Sequence, residues 1–177
     1  MGVRFRSLAG SAVSITVESK PVFGVFAHSP TFSTELPSIE VSSEDASAIR
    51  SQIHVEFDAL KLDPGPNSPP FDRSRMLDNL RGKQVLDVEQ WPTITFTGCY
   101  EGTRQGGTLD GKILVRGAAR AIRIPVQIAH RGNNLHATGT WEGTLTVLGI
   151  KPFRALLGAL VLKDWARISF ALELAEM

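Results

Sequence analysis

Residues 122–147 read IRIPVQIAHRGNNLHATGTWEGTLTV. From Leu135 to Val147 the odd positions hold Leu135, Ala137, Gly139, Trp141, Gly143, Leu145 and Val147, while the even positions hold His136, Thr138, Thr140, Glu142, Thr144 and Thr146. A period of two with one apolar and one polar face predicts a half-buried antiparallel strand. At about double the usual ~5–6 residues, it suits a strand curving around a barrel. The run before it has its apolar set at Ile122, Ile124, Val126 and Ile128. Between the two lies Gly132-Asn133, which has the chemistry of a two-residue type II′ turn. That turn pairs Ile128 with Ala137, Val126 with Gly139, Ile124 with Trp141 and Ile122 with Gly143. No pair sets a polar residue on the apolar face, as one buried surface requires.

The hairpin upstream passes the same test. Leu109, Gly111, Ile113 and Val115 alternate with Asp110 and Lys112, and a Gly117-Ala118 turn sets Ile113 opposite Ile122 and Gly111 opposite Ile124. Further alternating runs are Val13/Ile15/Val17, Ile53/Val55/Phe57/Ala59, Ile94/Phe96/Gly98/Tyr100 and Ile168/Phe170/Leu172/Leu174, with shorter ones at 22–26 and 39–41. They predict an all-β chain of about eight strands, the number at which a barrel interior either fills with side chains or holds one small ligand. Two segments depart from the period. Residues 72–80 read as a short helix, with Met76, Leu77 and Leu80 on one face and Gly82 as its stop. Residues 150–162 begin with Pro152 in a position suited to a first helical turn, and Phe153, Leu156, Leu157 and Leu160 would share a face.

At 177 residues the whole chain, 1–177, fits a single domain with a core of its own. Hydrophobic residues make up 42% and charged ones 21%, the composition of an ordinary globular protein. Nineteen basic against 18 acidic residues leave a net charge of +1. There is no basic block to follow a phosphate backbone, so no nucleic-acid partner is expected. The single cysteine, Cys99, has no partner for an internal disulfide and supports no cysteine-based zinc cluster. The N-terminus shows no apolar signal-peptide core and no run reaches the ~18 apolar residues of a transmembrane segment. A cytoplasmic protein is the expectation.

Candidate chemistry is sparse. The four histidines are scattered: His130 falls on the inner face near a turn, His54 and His136 face outward, and His28 lies in an early loop. None share a face at ligand spacing, so no metal and no cofactor are expected. Cys99 alternates with inward residues and points outward, with no neighbouring base to activate it. No nucleophile elbow, phosphate-binding glycine loop or zincin motif occurs. An enzyme is not expected; a hydrolase or isomerase ranks last, for want of a residue set. More distinctive are Gly98, Gly111, Gly139 and Gly143, all at inward positions. Either they mark corners where strands coil sharply, or their missing side chains leave an elongated apolar lumen.

Residues 75–96, RMLDNLRGKQVLDVEQWPTITF, resemble the signature of the YceI-like family of polyisoprenoid-binding proteins. The resemblance rests on Leu80-Arg81, Leu86-Asp87-Val88-Glu89, the aromatic Trp91 before Pro92, and Thr93-Ile94-Thr95-Phe96; Asn79 stands where the family often has histidine. Residues 109–117, LDGKILVRG, resemble the hairpin of the same family, and 165–173 its terminal strand. The resemblance implies an extended antiparallel eight-stranded, lipocalin-like barrel with one or two short helices near the mouth. Its lumen would hold an isoprenoid, a quinone, a fatty amide or another long-chain amphiphile. The helical turn would then lie against the barrel mouth, with 86–91 carrying the chain back into the wall.

Phe57, Ile94, Phe96, Ile113, Ile124, Trp141 and Phe170 are expected to line that lumen. Leu77, Leu80, Phe153, Leu156 and Leu160 are expected to close its mouth, and Gly139 and Gly143 to leave it room. At roughly 0.8 kcal/mol per buried methylene, a tail of ten or more carbons binds without a charged anchor. The rival reading is a filled barrel acting as a protein-interaction or stress-response module. In it the apolar segment 150–162 is a docking surface that would favour a homodimer.

Overall fold

The computed structural model of the chain describes residues 3–21, 29–43, 48–66, 70–155 and 160–177. Their alternating sequence becomes one antiparallel sheet, in agreement with the all-β expectation. Along the chain run β1 (Val3–Ser7), β2 (Ala12–Pro21), β3 (Thr31–Glu35), β4 (Glu40–Ser43), β5 (Ile49–Asp58), a 3-10 turn (Ala59–Lys61), α1 (Pro70–Arg81), β6 (Thr93–Gly102), β7 (Gly106–Val115), β8 (Ala118–Arg131), β9 (Asn134–Gly143), β10 (Arg154–Ala155) and β11 (Leu160–Glu176). The hydrogen-bonded order is β3-β2-β11-β9-β8-β7-β6-β5, with β1 pairing β11 and β4. β1 and β2 follow one another along the same edge of β11, and β4 and β3 follow them in turn. Each of these pairs is thus one long strand bent at a corner, at 8–11 and at 36–39. Eight bent strands wrap the core.

The sheet curls without closing through a continuous ladder. Where β4 meets β5, the Ser42 amide donates to the buried Ser51 hydroxyl (3.2 Å). Where β3 leaves β5, Ser33 and Asp63 exchange backbone hydrogen bonds of 2.9 and 3.0 Å. Asp63 is held in turn by Arg73 of α1 and by the Gly65 amide (2.7 Å). At the first corner Ser11 donates to the Leu8 carbonyl (2.8 Å) and accepts the Glu173 amide (3.2 Å). These polar groups satisfy backbone that the ladders leave unpaired, as burial demands.

The β8–β9 hairpin keeps its expected register, with Ile128 opposite Ala137 and Val126 opposite Gly139. Gly132 takes φ +60° while Asn133 does not enter the left-handed region, as a type II′ turn requires. The ladder then stops, and Ile124–Trp141 and Ile122–Gly143 do not pair. The Ile128 amide donates to Gln105, before β7, so the odd-numbered amides of β8 face β9. Pro125 sits in that row and has no N–H to give.

Other expectations need correction. The β7–β8 turn is Arg116-Gly117, at φ +51° and +71°, a type I′ geometry. It sets Ile113 opposite Arg120 and Gly111 opposite Ile122, a shift of two residues that leaves the inward face unchanged. β9 ends at Gly143 rather than Val147. The Thr144 hydroxyl accepts the Val147 amide (3.1 Å) and Asp164 accepts both the amide and the hydroxyl of Thr146, turning the chain. Leu145, Leu148 and Ile150 are thereby buried. The second expected helix is absent from its described part: Arg154–Ala155 pairs with Leu160–Val161. The free edge of β2 takes up Leu160, Val161 and Leu162, and pairing outweighs the weak helical pattern. The expected strand at 22–26, His28 and residues 156–159 lie outside the described residues.

The expected helix at 72–80 is α1. Gly82 does not take the left-handed conformation; its amide stays helical, donating to Asp78 (3.0 Å), and the chain then turns through Asp87 at φ +50°. Leu80, Val85, Leu86 and Val88 join Ala59 and Leu62 in the core. The Ala59 amide donates to the Pro92 carbonyl (2.8 Å), and Trp91 lies over Gly117. The charged helical turn is therefore tied to Trp91-Pro92 because Leu80 and the turn after it, Val85, Leu86 and Val88, bury with Ala59 and Leu62 where β5 leaves and β6 enters.

Candidate ligand lumen

Among the described residues, two apolar chambers lie in a row inside the curled sheet. The larger, about 90 Å³, is walled by Val13 and Ile15 of β2, Leu36 and Ile39 of the second corner, Ile53, Val55 and Phe57 of β5, Ile94 and Phe96 of β6, Leu109 and Ile113 of β7, Ile122 and Ile124 of β8, and Ile168, Phe170 and Leu172 of β11. The smaller, about 60 Å³, lies toward the end carrying the β8–β9 turn. Phe5, Val41, Ile49, Tyr100, Val126, Ile128, Leu135, Ala137 and Leu174 wall it. Ile39, Ile53, Leu109, Phe170 and Leu172 belong to both. Tyr100 is the one lining residue with a polar atom, and its hydroxyl turns away to donate to the Thr103 carbonyl (2.9 Å). Burial pushes its phenol up from the ordinary value, which keeps it neutral.

Of the residues expected to line the lumen, Phe57, Ile94, Phe96, Ile113, Ile124 and Phe170 stand in the wall of the larger chamber. Trp141 does not: its ring lies along the wall over Gly143, where a Cβ would meet it at 2.2 Å. The inward glycines hold aromatic rings. The Phe96 ring tip occupies the space over Gly98 and Gly111, and the Phe170 ring lies over Gly139 (2.7, 2.6 and 2.5 Å from the respective Cβ positions). The space opened by glycine is thus taken up by neighbouring rings, a packing that lets a strand bend without leaving a hole. Neither Gly139 nor Gly143 adds room to a chamber.

Leu80 is buried with Ala59 and Leu62 and Leu77 is half-buried on α1; neither lines a chamber. Phe153 is half-buried and its carbonyl accepts the Leu162 amide (3.0 Å), apart from the lumen. Leu156 lies outside the described residues, and Leu160 is placed only as the first residue of β11. Phe5, Leu36, Ile39 and Val41 were not singled out as lining residues. Phe5 and Leu36 fall in no alternating run of the sequence, whereas Ile39 and Val41 belong to the short run at 39–41, which reads as a strand without being assigned to the lumen. Ile53, Val55, Leu109 and Ile122 did carry the inward pattern.

The outer face is charged and paired. Arg123 grips Asp110 across β7 and β8 with two hydrogen bonds (2.6 and 2.9 Å), holding that carboxyl below the usual range and raising the guanidinium. Arg73, then the Gly65 amide, hold Asp63 below it as well. The Cys99 thiol, then Glu101, raise the Arg50 guanidinium. His136 and Arg131 share Glu173 at 2.7 and 3.0 Å, and His54 meets Thr97 at 3.2 Å. His130 is exposed at the end of β8, not inside. Among the described residues no three His, Cys, Asp or Glu side chains gather at metal-binding distance, and no helix is long and apolar enough to cross a membrane.

This architecture has solved counterparts. BcnA of Burkholderia cenocepacia superposes with a TM-score of 0.56 at 18% identity, over 93% of this chain and 96% of that one. A YceI protein of Campylobacter jejuni gives 0.56 at 12% identity, over 76% and 82%. No curated protein matches the sequence. The family model for the YceI-like domain matches residues 7–174. With that match over nearly its whole length, the chain belongs to the YceI-like domain family, a family of lipid-binding barrels.

Proposed function

We propose that the protein binds and carries a long-chain amphiphile of the isoprenoid, quinone or fatty amide class, with the apolar tail in the two chambers and no chemistry performed on it. The observation that carries this reading is empty apolar volume inside an otherwise packed wall. Protein interiors leave few voids larger than a water molecule. At roughly 24 cal/mol per Å³ of cavity, chambers of this size together cost about 3–4 kcal/mol, a large share of the ~5–15 kcal/mol that holds a domain folded. A tail entering them recovers that loss and adds its own burial at roughly 0.8 kcal/mol per methylene.

The small size of the chambers favours the second reading, a filled barrel whose outer surface meets another protein. Native mass spectrometry of the purified protein, followed by solvent extraction, separates the two. A stoichiometric adduct released by organic solvent supports the carrier. A clean apo mass, with no uptake of isoprenoids, quinones or fatty amides, overturns it.

A further inference from the structure

We infer that Phe170 is a partition that sets the length of tail the lumen accepts; the inference rests on the carrier reading. Phe170 stands in the wall of both chambers, midway along β11 and directly opposite Gly139 of β9. Its ring leans across the strand pair, and a Cβ on Gly139 would lie 2.5 Å from its Cε1 and 2.9 Å from Ile124 Cγ2. The glycine therefore gives the ring its resting place. Ile39, Ile53, Leu109 and Leu172 complete the waist at the same level. An apolar cavity of about 150 Å³ holds one benzene, so by proportion the 90 Å³ chamber takes roughly four carbons. A longer tail must displace the ring and run into the second chamber. Of the five side chains at the waist, Phe170 carries the one aromatic ring, and that ring, seated over a glycine, is the group a longer tail pushes aside.

The test uses a probe series of n-alkanols from methanol to tetradecanol, titrated calorimetrically against the wild type, Phe170→Ala and Gly139→Ala. Circular dichroism confirms that each variant is folded. In the wild type, affinity should rise about fourfold per methylene up to a limiting length and then stay flat. Phe170→Ala joins the chambers and vacates a benzene-sized space, so its limit should move outward by roughly eight carbons, about two for the second chamber and six for the ring. Gly139→Ala pushes the ring off the wall into the lumen, so its limit should move inward. Opposite shifts support the partition. An unchanged limit, or a shift of both variants in the same direction, overturns it while alkanol binding itself stands. Should Phe170→Ala fail to fold, an unchanged limit in Gly139→Ala overturns it. If none of the three proteins binds any alkanol, the carrier reading falls and the partition with it.

Discussion

A methyl group on Gly117 would stand 2.4 Å from the Trp91 ring, at a φ of +71°. Both facts penalise a side chain there, the first by collision and the second by the left-handed backbone. Gly117→Ala should therefore lower stability by about 2–3 kcal/mol, read from urea unfolding. A loss below about 0.5 kcal/mol would mean that the turn has moved and Trp91 does not rest on it. The collision with a ring, without the left-handed backbone, recurs at Gly98, Gly111, Gly139 and Gly143. Their inward placement was legible from period two alone. What fills them was not, because a ring reaches its resting place through side-chain rotation that alternation does not encode.

The turn that follows β9 is held by Thr144 within it and by one side chain farther along the sequence. Asp164 of β11 accepts the Thr146 amide at 2.9 Å and the Thr146 hydroxyl at 2.8 Å, ending a strand whose alternation runs on to Val147. Asp164→Ala hands the exposed amide and hydroxyl of Thr146 to water and should lower stability by about 0.5–1.5 kcal/mol, with Asp164→Asn recovering part of it. Equal stabilities of the two variants in urea unfolding would count against the cap. Elements such as β5, β6 and α1 were readable because their own residues bury one face. The stretch 150–162 was not: its apolar residues fit a helix as well as a strand, and the edge of β2 settles the matter.

Closure is a property of the whole molecule. β3 is tied to the far side of the barrel at Asp63, whose carboxyl is held by Arg73 and the Gly65 amide below the usual carboxylate range. A pKa lower in the folded than in the unfolded chain gives stability that is fully present above about pH 4 and lost as pH falls through the folded value. Asp63→Asn keeps an acceptor for Gly65 but gives up the ion pair. The wild type should therefore lose more stability than the variant between about pH 5 and pH 2, measured by urea unfolding. Identical acid limbs would show that the pair adds nothing to closure. The pair is exposed, so the effect is modest and weakens with salt.

By itself the sequence determined the all-β class, the single inward face, the β8–β9 register next to its turn and the helix before β6. Each follows from local periodicity or from turn chemistry written within a few residues. Only the tertiary structure decided where the ladders stop, how Ser51 and Asp63 close the seam, and that the lumen is two chambers divided at Phe170. Those outcomes depend on which side chains from distant strands arrive at the same point, and burial at such a point is shared among residues far apart in the chain.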